Sequence, residues 1–149
     1  MKFLVAMDGS TEAREALEFA ADLAVAVDGT LTAVHAVDPD VFENGGSEPI
    51  ESLSDADRRL VVQSVEDAED RGLDILEDVA ALADELGCDI QTELLYGDPV
   101  AAIPEFAEAE EFDAIFVGHR GRSARTESML GSVAKGLVEG ATVPVTVVR

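Results

Sequence analysis

Five short apolar runs alternate with four longer amphipathic segments, and that alternation limits the possible folds more than any other feature of the chain. Lys2 to Met7, Thr30 to Val37, Asp89 to Leu95, Phe112 to Val117 and Thr142 to Val148 have the length and the Val, Leu and Ile content of buried strands. Between the first two, Ser10 is a natural helix N-cap with Glu12 in the first turn. Ala13, Ala16, Leu17, Ala20, Leu23, Ala24 and Val27 then share one face, and Asp28-Gly29 ends the helix. Ser54 can cap a long helix towards Leu86, striped by Val61, Val65, Ala68, Gly72, Leu76, Val79, Ala80 and Ala83 and stopped by Gly87. Gly72 weakens its middle, where a break is to be expected. Asp98 and Pro99 open a third helix as N-cap and first residue, and Pro104 should kink it. Val133 to Ala141 reads as a fourth. The Pro-, Gly- and acid-rich stretch from Asp38 to Ser54 has no sustained period and reads as a surface loop.

Strands alternating with helices argue for an α/β protein: a Rossmann-like, open, five-stranded parallel sheet with helices on both faces. Right-handed crossovers and a reversal after the third strand predict the order 3-2-1-4-5. The switch point then falls between strands one and four. Asp8 and Gly118, at their carboxyl ends, should line one crevice, where open α/β sheets bind ligands. At 149 residues the chain is expected to be one domain, 1–149, burying about two-thirds of its unfolded surface.

The stretch between the fourth strand and the fourth helix, Val117 to Val133, is the chain's most informative loop. Strand-to-helix connections are usually about 2–6 residues, and one of about a dozen is commonly a binding loop. Gly118, Gly121 and Gly131 punctuate it, and Ser132 offers an N-cap for the helix that follows. Free backbone N–H groups at a helix start form a phosphate cradle. The charge agrees. Arg120, Arg122, Arg125 and Lys135 face a single carboxylate, Glu127, in a chain whose net charge is −22. Lys135 would oppose the helix dipole unless an anion is bound there.

The spacing of Gly118, Gly121, Gly131 and Ser132, G-x2-G-x9-G-S/T, resembles the ATP-binding signature of the universal stress protein family. The similarity extends to Val5-Ala6-Met7-Asp8-Gly9-Ser10, Val34-His35-Ala36-Val37-Asp38, Gly97-Asp98-Pro99 and the terminal Val143 to Val148. It implies the same strand order, and ATP as ligand, with magnesium beside the phosphates. By resemblance Ala6 and Ala36 would surround the adenine, and Val117 and Val133 would pack near the nucleoside and phosphates. Periodicity alone assigns all four to the core. Backbone contact is expected of His119, and Arg120, Gly121 and Arg122 belong to the loop that meets phosphate. Asp8 has two readings, a turn residue bonding its own backbone or a contact to ribose or to a phosphate-bound cation. The resemblance favours the second. His35 reads as a hydrogen-bonded structural histidine.

Other chemistry finds no support. The G-x4-G-K-S/T phosphate loop is missing, as is G-x-G-x-x-G after the first strand. A response-regulator receiver would need an acid where Tyr96-Gly97 stands and a lysine where Val143-Pro144 stands. An adenine nucleotide α-hydrolase would need S-G-G-x-D-S in place of Met7 to Glu12. The expectation is therefore an ATP-holding regulatory protein of the stress response with at most weak hydrolysis. The rival reading is a scaffold of the same fold that binds no nucleotide and acts through protein contacts, its partners unnamed by the sequence.

Composition sets the remaining bounds. The N-terminal apolar run, Phe3 to Met7, is short and followed at once by Asp8, so neither a signal peptide nor a membrane span is expected. The lone Cys88 makes no internal disulfide and suits a reducing, cytoplasmic interior as a packing residue. Thirty-two acidic residues against ten basic ones make a chain that repels itself in dilute buffer and stays soluble where salt screens it, as in halophiles. An acidic surface for a basic partner is the alternative, but the charge is spread along the chain. Nucleic acid is repelled. The final apolar strand should lie at the sheet edge, where pairing with its copy would make a homodimer.

Overall fold

The structure, a computed structural model, describes residues 1–38, 55–121 and 129–149, with side chains described for all of these except 55–63. The elements in chain order are β1 (Lys2–Ala6), α1 (Thr11–Ala26), β2 (Thr30–Val37), α2 (Asp55–Leu86), β3 (Ile90–Tyr96), α3 (Pro99–Ala109), β4 (Ala114–Gly118), α4 (Ser132–Gly140) and β5 (Val145–Val148). They form one five-stranded sheet in the order β3-β2-β1-β4-β5, as the alternation of runs requires. All four pairings are parallel. Lys2 stands opposite Thr30, Phe3 opposite Ala114, Leu31 opposite Ile90 and Ile115 opposite Val145.

Two cores result, one on each face. Phe3, Val5, Leu31 and Phe116 point towards α1 and α2, where Leu17, Ala20, Val79 and Leu82 meet them. Phe116 packs edge-on against Phe3 with ring centroids 5.3 Å apart. Leu4, Ala6, Val34, Ile115 and Val117 point the other way, towards Ile103 and Ala107 of α3 and Ala134 and Leu137 of α4. Residues of β1 and β4 are buried on both sides, which is why those runs are continuously apolar and do not alternate.

Local chemistry explains the helix ends. Ser10 caps α1, its hydroxyl accepting from the Ala13 N–H at 3.1 Å, and Asp98 caps α3 by accepting from Val100 N–H at 3.0 Å with Pro99 as the first helical residue. Asp28 leaves α1 with φ 53, and Gly87 leaves α2 with φ 64. Ser54, the proposed cap of α2, lies outside the described residues.

Several expectations are corrected by packing. Leu23 and Val27, placed on the inner face of α1 by periodicity, are 37% and 43% exposed, because the helix rotates Ala16, Ala20, Ala21 and Ala24 onto the sheet instead. Ala80 is exposed, and Leu82 takes its place in the core. α2 runs through Gly72 without a break, and the glycine is a point of close approach between the helix and the sheet. A Cβ there would fall 2.9 Å from His35 Cδ2 and from Leu94 Cδ1. Pro104 lies inside α3, where the sequence places it. Cys88 packs against the α1/α2 core, and burial, followed by the neighbouring Asp89 carboxylate, pushes its thiol up and away from the reactive thiolate.

Candidate functional site

The carboxyl ends of β1 and β4 place Asp8 and the glycine loop side by side. Asp8 Oδ1 accepts from the Ser10 N–H at 2.9 Å and from the Ser10 hydroxyl, and Gly9 between them takes φ 80. Asp8 is thus an Asx-turn residue, as one reading required. Its other oxygen serves the second reading. Oδ2 lies against Gly121, so close that a Cβ on residue 121 would stand 2.6 Å from it.

The loop is pinched at its neck. Gly131 N–H donates to His119 C=O at 2.7 Å. A Cβ on Gly131 would lie 3.2 Å from Gly121 N and 3.3 Å from Arg120 Cα. Gly121 and Gly131 are therefore glycines because backbone and carboxylate crowd the space a side chain would fill. Gly118 is one for a different reason, since its Cβ would meet the Glu12 carbonyl carbon at 2.7 Å where the end of β4 rests on the first turn of α1.

Gly131 is also the N-cap of α4, with φ −64 and ψ 159; Ser132, expected there, is the first helical residue. The sequence favours serine for its side-chain acceptor, but closure of the neck puts the extended residue at 131. A cap without a side chain cannot satisfy the first-turn N–H groups, and those groups suit an anion.

Arg120 is held from two sides. Its Nε donates to His119 Nε2 at 2.9 Å, and its Nη2 stands 3.5 Å from Glu12 Oε1, both side chains of the pair about a quarter exposed. His119 in turn is tied to β5. Its N–H donates to Val148 C=O at 2.9 Å, and its Nδ1 lies 3.3 Å from the same oxygen. With its backbone N–H and C=O both engaged, the backbone contact to phosphate expected of His119 is not open in this conformation.

Of the other sequence-selected residues, Ala6 and Val117 are buried in the α3/α4 core and Val133 packs against it. Ala36, half-buried, follows Val34 by two and so faces the same side beyond the end of β1. His35 is structural as read, its Nδ1 2.7 Å from Met7 C=O. Arg122 and Arg125 lie outside the described residues. A separate concavity of about 460 Å³ between α1 and α2, floored by Leu17, Ile75, Val79 and Leu82, opens on the opposite face from Ala6 and gathers none of the loop glycines. Glu12 is the residue that sequence reasoning passed over. An acid in a first turn satisfies the helix dipole and carries no sign of a partner more than one hundred positions away.

An open α/β sheet with a pinched, glycine-necked loop at its switch point defines a class of protein, and comparison narrows it. The model of the universal stress protein family matches residues 1–149, and the chain belongs to that family. A universal stress protein of Methanocaldococcus jannaschii is 32% identical over 152 residues, covering 99% of this chain and 81% of its own length. Among solved structures, UspA of Lactobacillus plantarum superposes with a TM-score of 0.82 at 23% identity, covering 100% of this chain and 97% of that one. A universal stress protein of Archaeoglobus fulgidus in complex with dAMP gives a TM-score of 0.65 at 24% identity, covering 100% and 98%. A family protein of Arabidopsis thaliana with AMP bound gives 0.65 at 23%, covering 99% and 90%.

Proposed function

We propose that this chain is a nucleotide-responsive universal stress protein that binds ATP at the β1/β4 crevice, and that its occupancy is a regulatory signal. The observation that carries the reading is the neck itself, where Gly121 backs directly onto the Asp8 carboxylate and Gly131 onto the Arg120–Gly121 backbone, just ahead of an α4 start whose cap has no side chain. Solved relatives holding dAMP and AMP support an adenine nucleotide. Several phosphates are favoured by Arg120 together with Arg122 and Arg125. Phosphates would lie against Gly118, Gly121, Gly131, Ser132 and Val133, with Ala6, Ala36 and Val117 towards the nucleoside. Asp8, whose Oδ2 lies against Gly121, would lend one carboxylate oxygen to a magnesium ion held mainly by the nucleotide.

Turnover would be slow at most. His119 Nε2 accepts from Arg120 Nε, so that ring nitrogen is not open as a base for water. The protein is read as one domain, cytoplasmic, in a salt-rich cell, and as a homodimer. The dimer reading rests on β5, which ends the sheet order and pairs with β4 on one side, leaving an apolar edge for a second copy. No described helix is long and apolar enough to cross a membrane.

Calorimetry with ATP and magnesium in high salt tests the site. Wild-type protein should bind at micromolar affinity, about −8 kcal/mol. The Gly121→Val, Gly131→Val double variant should stay folded by circular dichroism and lose binding. No binding by a well-folded wild-type dimer would leave the nucleotide-free scaffold.

A further inference from the structure

We propose that Glu12 is a built-in competitor for Arg120, and that it sets how strongly the site favours a phosphorylated ligand over the bare nucleoside. The inference rests on the nucleotide reading above and goes further, to what regulates affinity at that site.

Glu12 does not meet Arg120 by chance of the surface. Gly118 sits against the Glu12 backbone, so the first turn of α1 is packed onto the end of β4, and its carboxylate is delivered to the start of the loop. The pair is about a quarter exposed, whereas the Arg14–Glu18 pair on the same helix is 58% and 43% exposed. Arg120 is also anchored at its other end. His119 Nε2 accepts from Arg120 Nε, so the ring's own hydrogen belongs on Nδ1, where it faces Val148 C=O. With Nε fixed in this way, the Nη end is the part of the guanidinium that can change partners. Glu12 holds it, with Oε1 3.5 Å from Nη2.

An incoming phosphate that uses the Nη end of Arg120 must displace that carboxylate, and breaking the ion pair weakens binding. Adenosine carries no anion and makes no such demand. Glu12 thereby lowers affinity for phosphorylated ligands selectively, which keeps occupancy responsive to nucleotide concentration.

The test is a double-mutant cycle with Glu12→Gln and Arg120→Gln, each variant checked by thermal melting and titrated with ATP and with adenosine in the same high salt. Glu12→Gln should tighten ATP binding about two- to fivefold, the scale of one partly screened ion pair, and leave adenosine unchanged. Arg120→Gln should weaken ATP. In the Arg120→Gln background the Glu12 substitution should have no effect, because the competitor has lost its object. An equal gain in both backgrounds would mean that Glu12 acts only as a remote negative charge and would overturn the proposal. Unchanged ATP affinity in folded Glu12→Gln would overturn it too, while leaving nucleotide binding intact. A wild-type protein that binds no ATP would instead remove the reading on which it stands.

Discussion

Replacing Gly72 with alanine sets two physical effects against each other, and the structure decides the sign. In an exposed helix interior the change stabilises by about 0.8–1 kcal/mol, because glycine is the poorer helix former. Here the new Cβ would stand 2.9 Å from His35 Cδ2 and 2.9 Å from Leu94 Cδ1, inside normal contact. Leu94 can turn its terminal methyl aside. The His35 ring cannot move as freely, since its Nδ1 is held 2.7 Å from Met7 C=O. Overpacking of this kind costs about 1–3 kcal/mol, and loss of the His35 hydrogen bond adds about 1. The net expectation is a destabilisation of roughly 1–3 kcal/mol, with each kcal/mol lowering the midpoint by about 2–4 °C in a chain of this size. Thermal melts followed by circular dichroism at one fixed salt concentration measure it. ATP affinity should fall as well, because Met7 precedes Asp8. A midpoint equal to or above wild type would refute the close crossing of α2 over β2 and β3.

Two further outcomes are expected. Ser10→Ala removes the hydroxyl that caps α1 and donates to Asp8 Oδ1, while the backbone N–H to Asp8 stays, so it should cost about 1 kcal/mol in a thermal or denaturant melt and weaken ATP binding in calorimetry. With a net charge of −22, the melting midpoint should rise steeply as potassium chloride is raised from about 0.1 M, where the Debye length is about 10 Å, towards 1 M, where it is about 3 Å. A midpoint that stays flat across that range would sink the high-salt reading.

Elements specified by local chemistry were legible. Ser10 and the Asp98-Pro99 pair mark helix starts by the donors they satisfy or omit, and the apolar runs mark strands by what burial on two faces demands. The loop glycines stood out because their spacing is a local pattern. Leu23 and Val27 lie outside the buried face that periodicity assigns them, since a 3.6-residue period defines a face only within broad limits and packing of alanines against the sheet chose the rotation of α1. Propensity puts the cap of α4 at Ser132, because the neck bond from Gly131 to His119 cannot be seen along the chain.

The chain by itself determined the alternation of strands and helices, the ends of α1 and α3, and a basic, glycine-spaced loop set between β4 and α4, because each follows from residues near one another in sequence. Tertiary structure alone decided that Gly72 and Gly118 are places of close approach, that His119 is tied to β5, and that Glu12 holds Arg120. These are meetings of segments far apart in the chain. A side chain's period and propensity describe its own element, whereas which atoms it will touch depends on how neighbouring elements stack, and that is settled only when the whole sheet is covered.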